Sequence, residues 1–352
     1  MFNYQTKTTR MKKNVLMLGL AAIAFTACTN EEVTHFAENR AIGFDTFVGK
    51  HTKADVTSAS LKKFYVYGVY SGTSNSYASG TTTVFNNMPV SLKDGAWKNE
   101  DARYWVADKY YKFAAYANGD EGNALTTSFN EAKLVITDYE AETNDLIFAT
   151  PTEVTAANQI SNNQPIALTF NHLLSKVKFT FTSGFPKNYM MTISDLKITV
   201  PNKATYTEGT GWDTASDNAE KTFTISAIND DYKGTTLSQS SNEHYVIPQG
   251  NSTLKATFKV TVTDGGGYNK EATLEASLES GDLSTGNAGT DTWVNGYAYN
   301  YKATIKTTDV DSDLKEITFN VDALNGVNAW QDVTSSTTPS TPTAAASTTS
   351  RN

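Results

Sequence analysis

LKATFKVTVT, residues 254–263, decides the fold class. Leu254, Ala256, Phe258, Val260 and Val262 fall on one side of the chain, and Lys255, Thr257, Lys259, Thr261 and Thr263 on the other. A period of two belongs to a strand with one face on a core and the other in water, the usual pattern of antiparallel sheets. The same period recurs in AIGFDTFV (41–48), where Ile42, Phe44, Thr46 and Val48 share a face. In LSKVKFTF (174–181) Val177, Phe179 and Phe181 oppose Lys176, Lys178 and Thr180, and EITFNVDA (316–323) aligns Ile317, Phe319 and Val321. Turn residues punctuate these runs at Asn118-Gly119-Asp120, at Glu208-Gly209 and at Asp264-Gly265-Gly266-Gly267, the last predicting a hairpin. No sustained helical stripe is present, and Ser128 to Lys133 is expected to form at most a single turn.

The chain is therefore expected to be all-β. Its 352 residues can build two cores. The natural architecture is two tandem antiparallel β-sandwiches, residues 54–185 and 186–333, divided near Ser183-Gly184-Phe185-Pro186. Residues 334–352 carry Ser, Thr, Pro and Ala without bulky apolar side chains, a composition expected to stay disordered. The net charge of −8, with Lys and Arg scattered singly, offers no surface for nucleic acid or for an anionic membrane.

The only cysteine, Cys28, stands directly behind an apolar run, Val15 to Ala27, which follows Met11-Lys12-Lys13. The run is shorter than the roughly 20 residues that span a bilayer. A positive start, an apolar stretch and small residues make residues 1–27 a predicted secretory signal peptide. Phe25-Thr26-Ala27-Cys28 resembles a bacterial lipobox, which implies that Cys28 is diacylated and anchors the protein to the outer membrane. Thr29-Asn30-Glu31-Glu32 resembles the surface-export signal of Bacteroidetes lipoproteins.

Further segments, in order, resemble the Bacteroidetes fimbrillin family, the pilins of lipoprotein-derived (type V) pili. They are AIGFDTFVGKHTKA (41–54), FYVYGVYSG (64–72), VFNNMPVSLKDGAWKNEDARYWVADKYYKFAAYAN (84–118), DLIFATPTEV (145–154), PIALTFNHLLSKVKFTF (165–181) and VNAWQDV (327–333). The resemblance implies transthyretin-like sandwiches and a mechanism. The precursor reaches the surface as a lipoprotein, and a trypsin-like protease cuts behind the first strand. That strand leaves, and a strand from the next subunit fills the exposed groove in donor-strand fashion, so that a fimbria grows.

Residues 28–53 would then form a lipidated segment that contains the excisable strand Ile42, Phe44, Thr46 and Val48. Cutting between Lys53 and Ala54 removes the strand whole and aligns with the family's basic-Ala junction. Cutting between Arg40 and Ala41, the second choice, releases the lipid but leaves the strand in place. A donor needs bulky apolar residues at alternate places; the tail beyond Val333 lacks them, whereas Ile317 to Val333 has them.

Other chemistry finds little support. His35, His51, His172 and His244 are scattered, so His172 in Phe170-Asn171-His172 is expected to be a hydrogen-bonded structural histidine, with no metal or cofactor site. Asp309-x-Asp311-x-Asp313 lacks the glycine and the distant Glu of a calcium loop. Trp97, Tyr104, Trp105, Tyr110 and Tyr111 are expected in a core and not in a sugar platform. No nucleophile motif or phosphate loop occurs, and the chain is expected to be a non-enzyme. The reading is a pilus subunit whose partners are other subunits, the processing protease and the membrane. The alternative is a surface glycan-binding lipoprotein.

Overall fold

The computed structural model describes residues 41–48, 56–151, 153–162, 164–185, 189–213, 217–229, 238–248, 254–278, 293–310, 320–322 and 331–332. Their regular structure is almost entirely strand, in three sheets, with elements numbered here in chain order.

The first sheet runs β1 (Phe44–Val48), β10 (Ile166–His172), β8 (Leu146–Ala149), β5 (Tyr110–Asn118), β2 (Lys63–Ser71), β3 (Thr82–Lys93) and β4 (Ala96–Asn99), with β9 (Val154–Thr155) beside β5. The second runs β19 (Asn269–Ser277), β18 (Lys255–Asp264), β12 (Tyr189–Thr207), β7 (Lys133–Glu140) and β6 (Thr127–Asn130). Short strands β13 (Gly211–Trp212), β14 (Asp217–Phe223) and β15 (Ile228–Asn229) pair with β12. The third runs β16 (Ser238–Ser240), β11 (Ser175–Ser183), β20 (Tyr297–Ile305) and β21 (Asn320–Asp322), with β17 (His244–Val246) on β11 and β22 (Gln331–Asp332) on β20. Among the described residues helices are confined to α1 (Ala156–Asn162) and α2 (Thr307–Val310).

The deciding stretch is β18, which pairs with β19 from Lys255↔Ser277 to Thr263↔Asn269. Its hairpin is closed by Asp264 Oδ1, which accepts from the backbone N–H of Gly266 at 2.9 Å and of Tyr268 at 2.7 Å. Ala256, Phe258, Val260 and Val262 are buried, as the alternation requires.

Three expectations need correction. The sheets are not wholly antiparallel: β1 pairs parallel with β10, β11 with β20, and β20 with β22. Alternation reports which face is buried and carries no information on a partner's direction, because long connections bring distant segments side by side. The stretch Ser128 to Lys133 makes a hairpin between β6 and β7 and no helical turn, with Glu131 and Ala132 at positive φ. Lys176, expected in water, is buried with its Nζ 3.2 Å from a carboxylate oxygen of Glu243.

Three apolar cores follow from these layers. One lies inside the first sheet and includes Phe44, Phe64, Phe85, Phe113, Trp105 and Phe170. Another lies between the second and third sheets, around Phe179, Phe181, Phe258, Trp293 and Tyr301. The third joins them, setting Tyr67, Tyr116 and Phe148 of the first sheet against Leu134, Ile136, Leu174 and Tyr206. The middle of the first sheet is therefore covered on both faces, which is why β8 is buried throughout and FAAYA in β5 shows no alternation.

Candidate functional site

The site is β1 and what holds it. Ile42, Phe44 and Val48 point inward and are 2%, 4% and 2% exposed, Thr46 is half-buried, and Phe47 on the outward face is 54% exposed. The strand lies at the end of its sheet. It pairs parallel with β10 from Phe44↔Ile166 through Thr46↔Leu168 to Val48↔Phe170, so inward side chains of the two strands sit level.

The start of the segment reaches the opposite end of the same sheet. Ile42 N–H donates to the Arg103 carbonyl at 2.7 Å, Asn99 Nδ2 donates to the Ile42 carbonyl at 3.0 Å, and Ala41 bridges Tyr104. Arg103 Nε in turn donates to the Val84 carbonyl at 3.1 Å, tying this segment to β3. The first sheet curls until its two ends meet across β1, which closes it.

The other end is held by one hydroxyl. Ser58 Oγ accepts from Val48 N–H at 2.6 Å and donates to the Val48 carbonyl at 2.9 Å. Ser58 stands in a turn in which Thr57 N–H donates to Ser60 Oγ at 2.9 Å and Ser60 Oγ donates to Asp120 at 2.6 Å. Just ahead of that turn, Val56 N–H donates to Asp145 Oδ2 at 3.2 Å, and the same oxygen lies 2.7 Å from His172 Nδ1. Asp145 and His172 are both buried. Residues 48 and 56 are thus each fixed, one by Ser58 and the other by Asp145.

Of the residues singled out in the sequence, Ile42, Phe44, Thr46 and Val48 form one inward row, and Ala41 immediately precedes it, bridged to Tyr104. Cys28, Arg40, Lys53 and Ala54 lie outside the described residues. His172 is hydrogen-bonded to Asp145, so the two best-matching motifs, Asp145-Leu146-Ile147-Phe148-Ala149 and Phe170-Asn171-His172, are joined by their polar ends. Among the described residues no group of three His, Cys, Asp or Glu side chains could hold a metal. Asp309 Oδ2 accepts from Lys306 N–H at 2.7 Å ahead of α2, while Asp311 and Asp313 are outside the described residues. Trp105 and Tyr111 are buried, Trp97 and Tyr110 partly so, and Tyr104 is exposed. Ser58 and Asn99 escaped the sequence reading because nothing distinguishes them among the many Ser, Thr and Asn; Asp145 left a signal, a lone carboxylate heading the apolar run 146–149.

Against known proteins, the family model for fimbrillin-like proteins matches residues 52–322. The chain belongs to the fimbrillin-like family. No curated protein matches it in sequence. Among solved structures, this fimbrillin-like chain is similar to one from Bacteroides uniformis, provisionally named a cell adhesion protein, at 17% identity and a TM-score of 0.43, covering 80% of this chain and 97% of that one. Another such protein, from Parabacteroides distasonis, matches at 15% identity and a TM-score of 0.46, covering 80% and 94%. The fimbrial anchor protein Mfa2 from Porphyromonas gingivalis matches at 13% identity and a TM-score of 0.34, covering 75% and 90%. Within the fimbrillin-like chain, Asp145 and His172 fall inside the matched span and β1 ahead of it.

Proposed function

We propose that this chain is a structural subunit of a surface pilus with a role in adhesion, exported as a lipoprotein through Cys28 and assembled by strand exchange. In this reading a trypsin-like protease cuts after Lys53, or failing that after Arg40. After the cut at Lys53 the lipid and residues 28–53, β1 among them, leave, and a strand of another subunit takes the place of β1, carrying the protein from the outer membrane into the fimbria; a cut at Arg40 would free the lipid and leave β1 in place. The accepting groove lies in the first sheet, within residues 54–185, and residues 186–333 supply most of the second and third sheets.

The observation that supports this best is the position of β1: it fills an apolar core, yet its strand ladder runs to one neighbour, β10, at the end of the sheet. Withdrawing an end strand breaks one ladder and leaves the order β10-β8-β5-β2-β3-β4 intact. Each fully buried side chain on it is worth about 1.5–3 kcal/mol. A nicked β1 therefore stays until a strand of similar burial displaces it, which makes the step an exchange and not a spontaneous opening.

Limited trypsin digestion of the purified precursor tests the reading. Cleavage within residues 40–54 followed by higher oligomers supports it; an uncut N-terminal region, or cut protein that stays monomeric, overturns it. N-terminal sequencing of protein shed from cells should begin at Ala54. A glycan-binding reading is less well supported, since among the described residues Trp105 and Trp293 are buried and Trp97 and Trp212 are partly buried.

A further inference from the structure

The places that β1 fills are unequal. Phe44 enters a box of three rings: Phe85 at a centroid distance of 5.5 Å, Phe113 at 5.8 Å and Phe64 at 6.1 Å, crossing at 63°, 83° and 89°. Edge-to-face contacts of this kind add to area burial, and an aliphatic side chain cannot reproduce them. The box is shaped for its occupant by Gly68 on β2, where an added Cβ would stand 2.8 Å from Phe113 and 3.0 Å from Phe85. The two rings occupy the volume that a side chain at position 68 would need. By contrast Thr46 is half-buried, and Gly43 has only Pro165 Cβ near, at an ordinary 3.8 Å, so neither place demands a particular side chain.

Resting on the strand-exchange reading above, we infer that the groove selects its incoming strand chiefly by one aromatic side chain. The partner is an extended segment of another subunit, lying parallel to β10, with an aromatic residue level with Ile166. Aliphatic residues lie two places before it and four places after it, where Ile42 and Val48 now sit, and the place between, level with Leu168, is permissive. The groups that grip the present strand's ends, the Arg103 carbonyl, Asn99 Nδ2 and Ser58 Oγ, contact its main chain only and would accept any sequence. Register and affinity then both follow from where the aromatic ring lands.

The test uses the full chain cut by trypsin in residues 40–54 and incubated with an excess of a fluorescent peptide of sequence RAIGFDTFVGK (40–50). It is compared with peptides carrying Phe44→Leu, Phe44→Ala or Thr46→Ala. The expected result is incorporation of the parent peptide, about tenfold weaker retention with Phe44→Leu, about a hundredfold weaker with Phe44→Ala, and a change within about threefold for Thr46→Ala. Equal incorporation of all four overturns aromatic selection while leaving exchange intact. Failure of every peptide, the parent included, overturns exchange itself and the selection built on it. Because the peptides need not fold, no result is obscured by a misfolded variant.

Discussion

Two parallel strands complete the two main cores, and they are built differently. β1 pairs with β10 over five positions and ends its sheet. β20 pairs with β11 from Lys176↔Ala298 to Ser183↔Ile305 and carries β21 and β22 on its other edge. Both bury alternate side chains: Ile42, Phe44 and Val48 in one, Tyr299, Tyr301, Ala303 and Ile305 in the other. The rings of β20 are also tied by hydrogen bonds, with Trp293 Nε1 donating to Tyr301 Oη at 2.8 Å and Val294 N–H to Tyr299 Oη at 2.9 Å. Burial is common to both strands; β1 carries a ladder on one edge and β20 on both, and under the proposed exchange that difference would set which strand can leave.

The sharpest way to break this contrast is to truncate one buried ring in each strand. Tyr301→Ala should cost about 4 kcal/mol in urea unfolding, because a large core side chain and the partner of Trp293 disappear together. The loss should be the same in precursor and in protein stripped of residues 41–53. Phe44→Ala should cost about 3 kcal/mol in the uncut chain, measured the same way. In protein from which the strand has been removed, nothing remains for that substitution to affect; if the precursor were equally stable with Ala at position 44, β1 would not be a core element at all.

His172→Ala asks whether the accepting strand is held independently of its occupant. It removes the imidazole 2.7 Å from the buried Asp145 carboxylate and should cost about 2 kcal/mol, read from the urea midpoint. An equal loss before and after strand removal would place the pair in the permanent part of the fold. Ser58→Ala removes the hydroxyl that grips both polar groups of Val48 and should cost about 1 kcal/mol in the precursor, with faster release of the nicked strand in a pulse-chase of labelled peptide.

The smallest effect is expected from acid, and it belongs to the side of β20. Burial pushes the His244 imidazole below its ordinary value, aided by the nearby Lys221 charge and opposed by its hydrogen bond to the Thr222 carbonyl. For Glu243 burial raises the carboxyl, but Lys176 and Lys178 more than offset this and hold it below the usual range. Both groups bind protons more readily when unfolded. Stability should therefore be flat above neutrality, decline as pH falls below about 6.5, and decline again below about 4.5. Partial exposure screens the effect to less than about 1 kcal/mol. The thermal midpoint against pH should flatten in Glu243→Gln and His244→Gln, and a slope unchanged in both would assign it elsewhere.

Much of this was legible in the residues. Alternation placed β1, β11 and β18, and glycine marked the turns at 119, 209 and 267, where φ is positive. The motifs at 145–154 and 165–181 pointed to a family that the match over 52–322 bears out. The β6–β7 hairpin was hidden because its turn uses Glu131 and Ala132 at positive φ, residues that carry no turn signal. The doubly covered strands β5 and β8 lost their alternation because both of their faces are core.

By itself the sequence determined the class of fold, the inward row Ile42, Phe44 and Val48, and the family, since side-chain period and local motifs are set by covalent neighbours. Only tertiary structure decided that β1 lies parallel to β10 at a sheet end, that Asp145 meets His172 and Val56, and that three rings and a glycine frame Phe44. Those facts join residues tens of positions apart. They rest on how the chain closes its long loops, which no local pattern records.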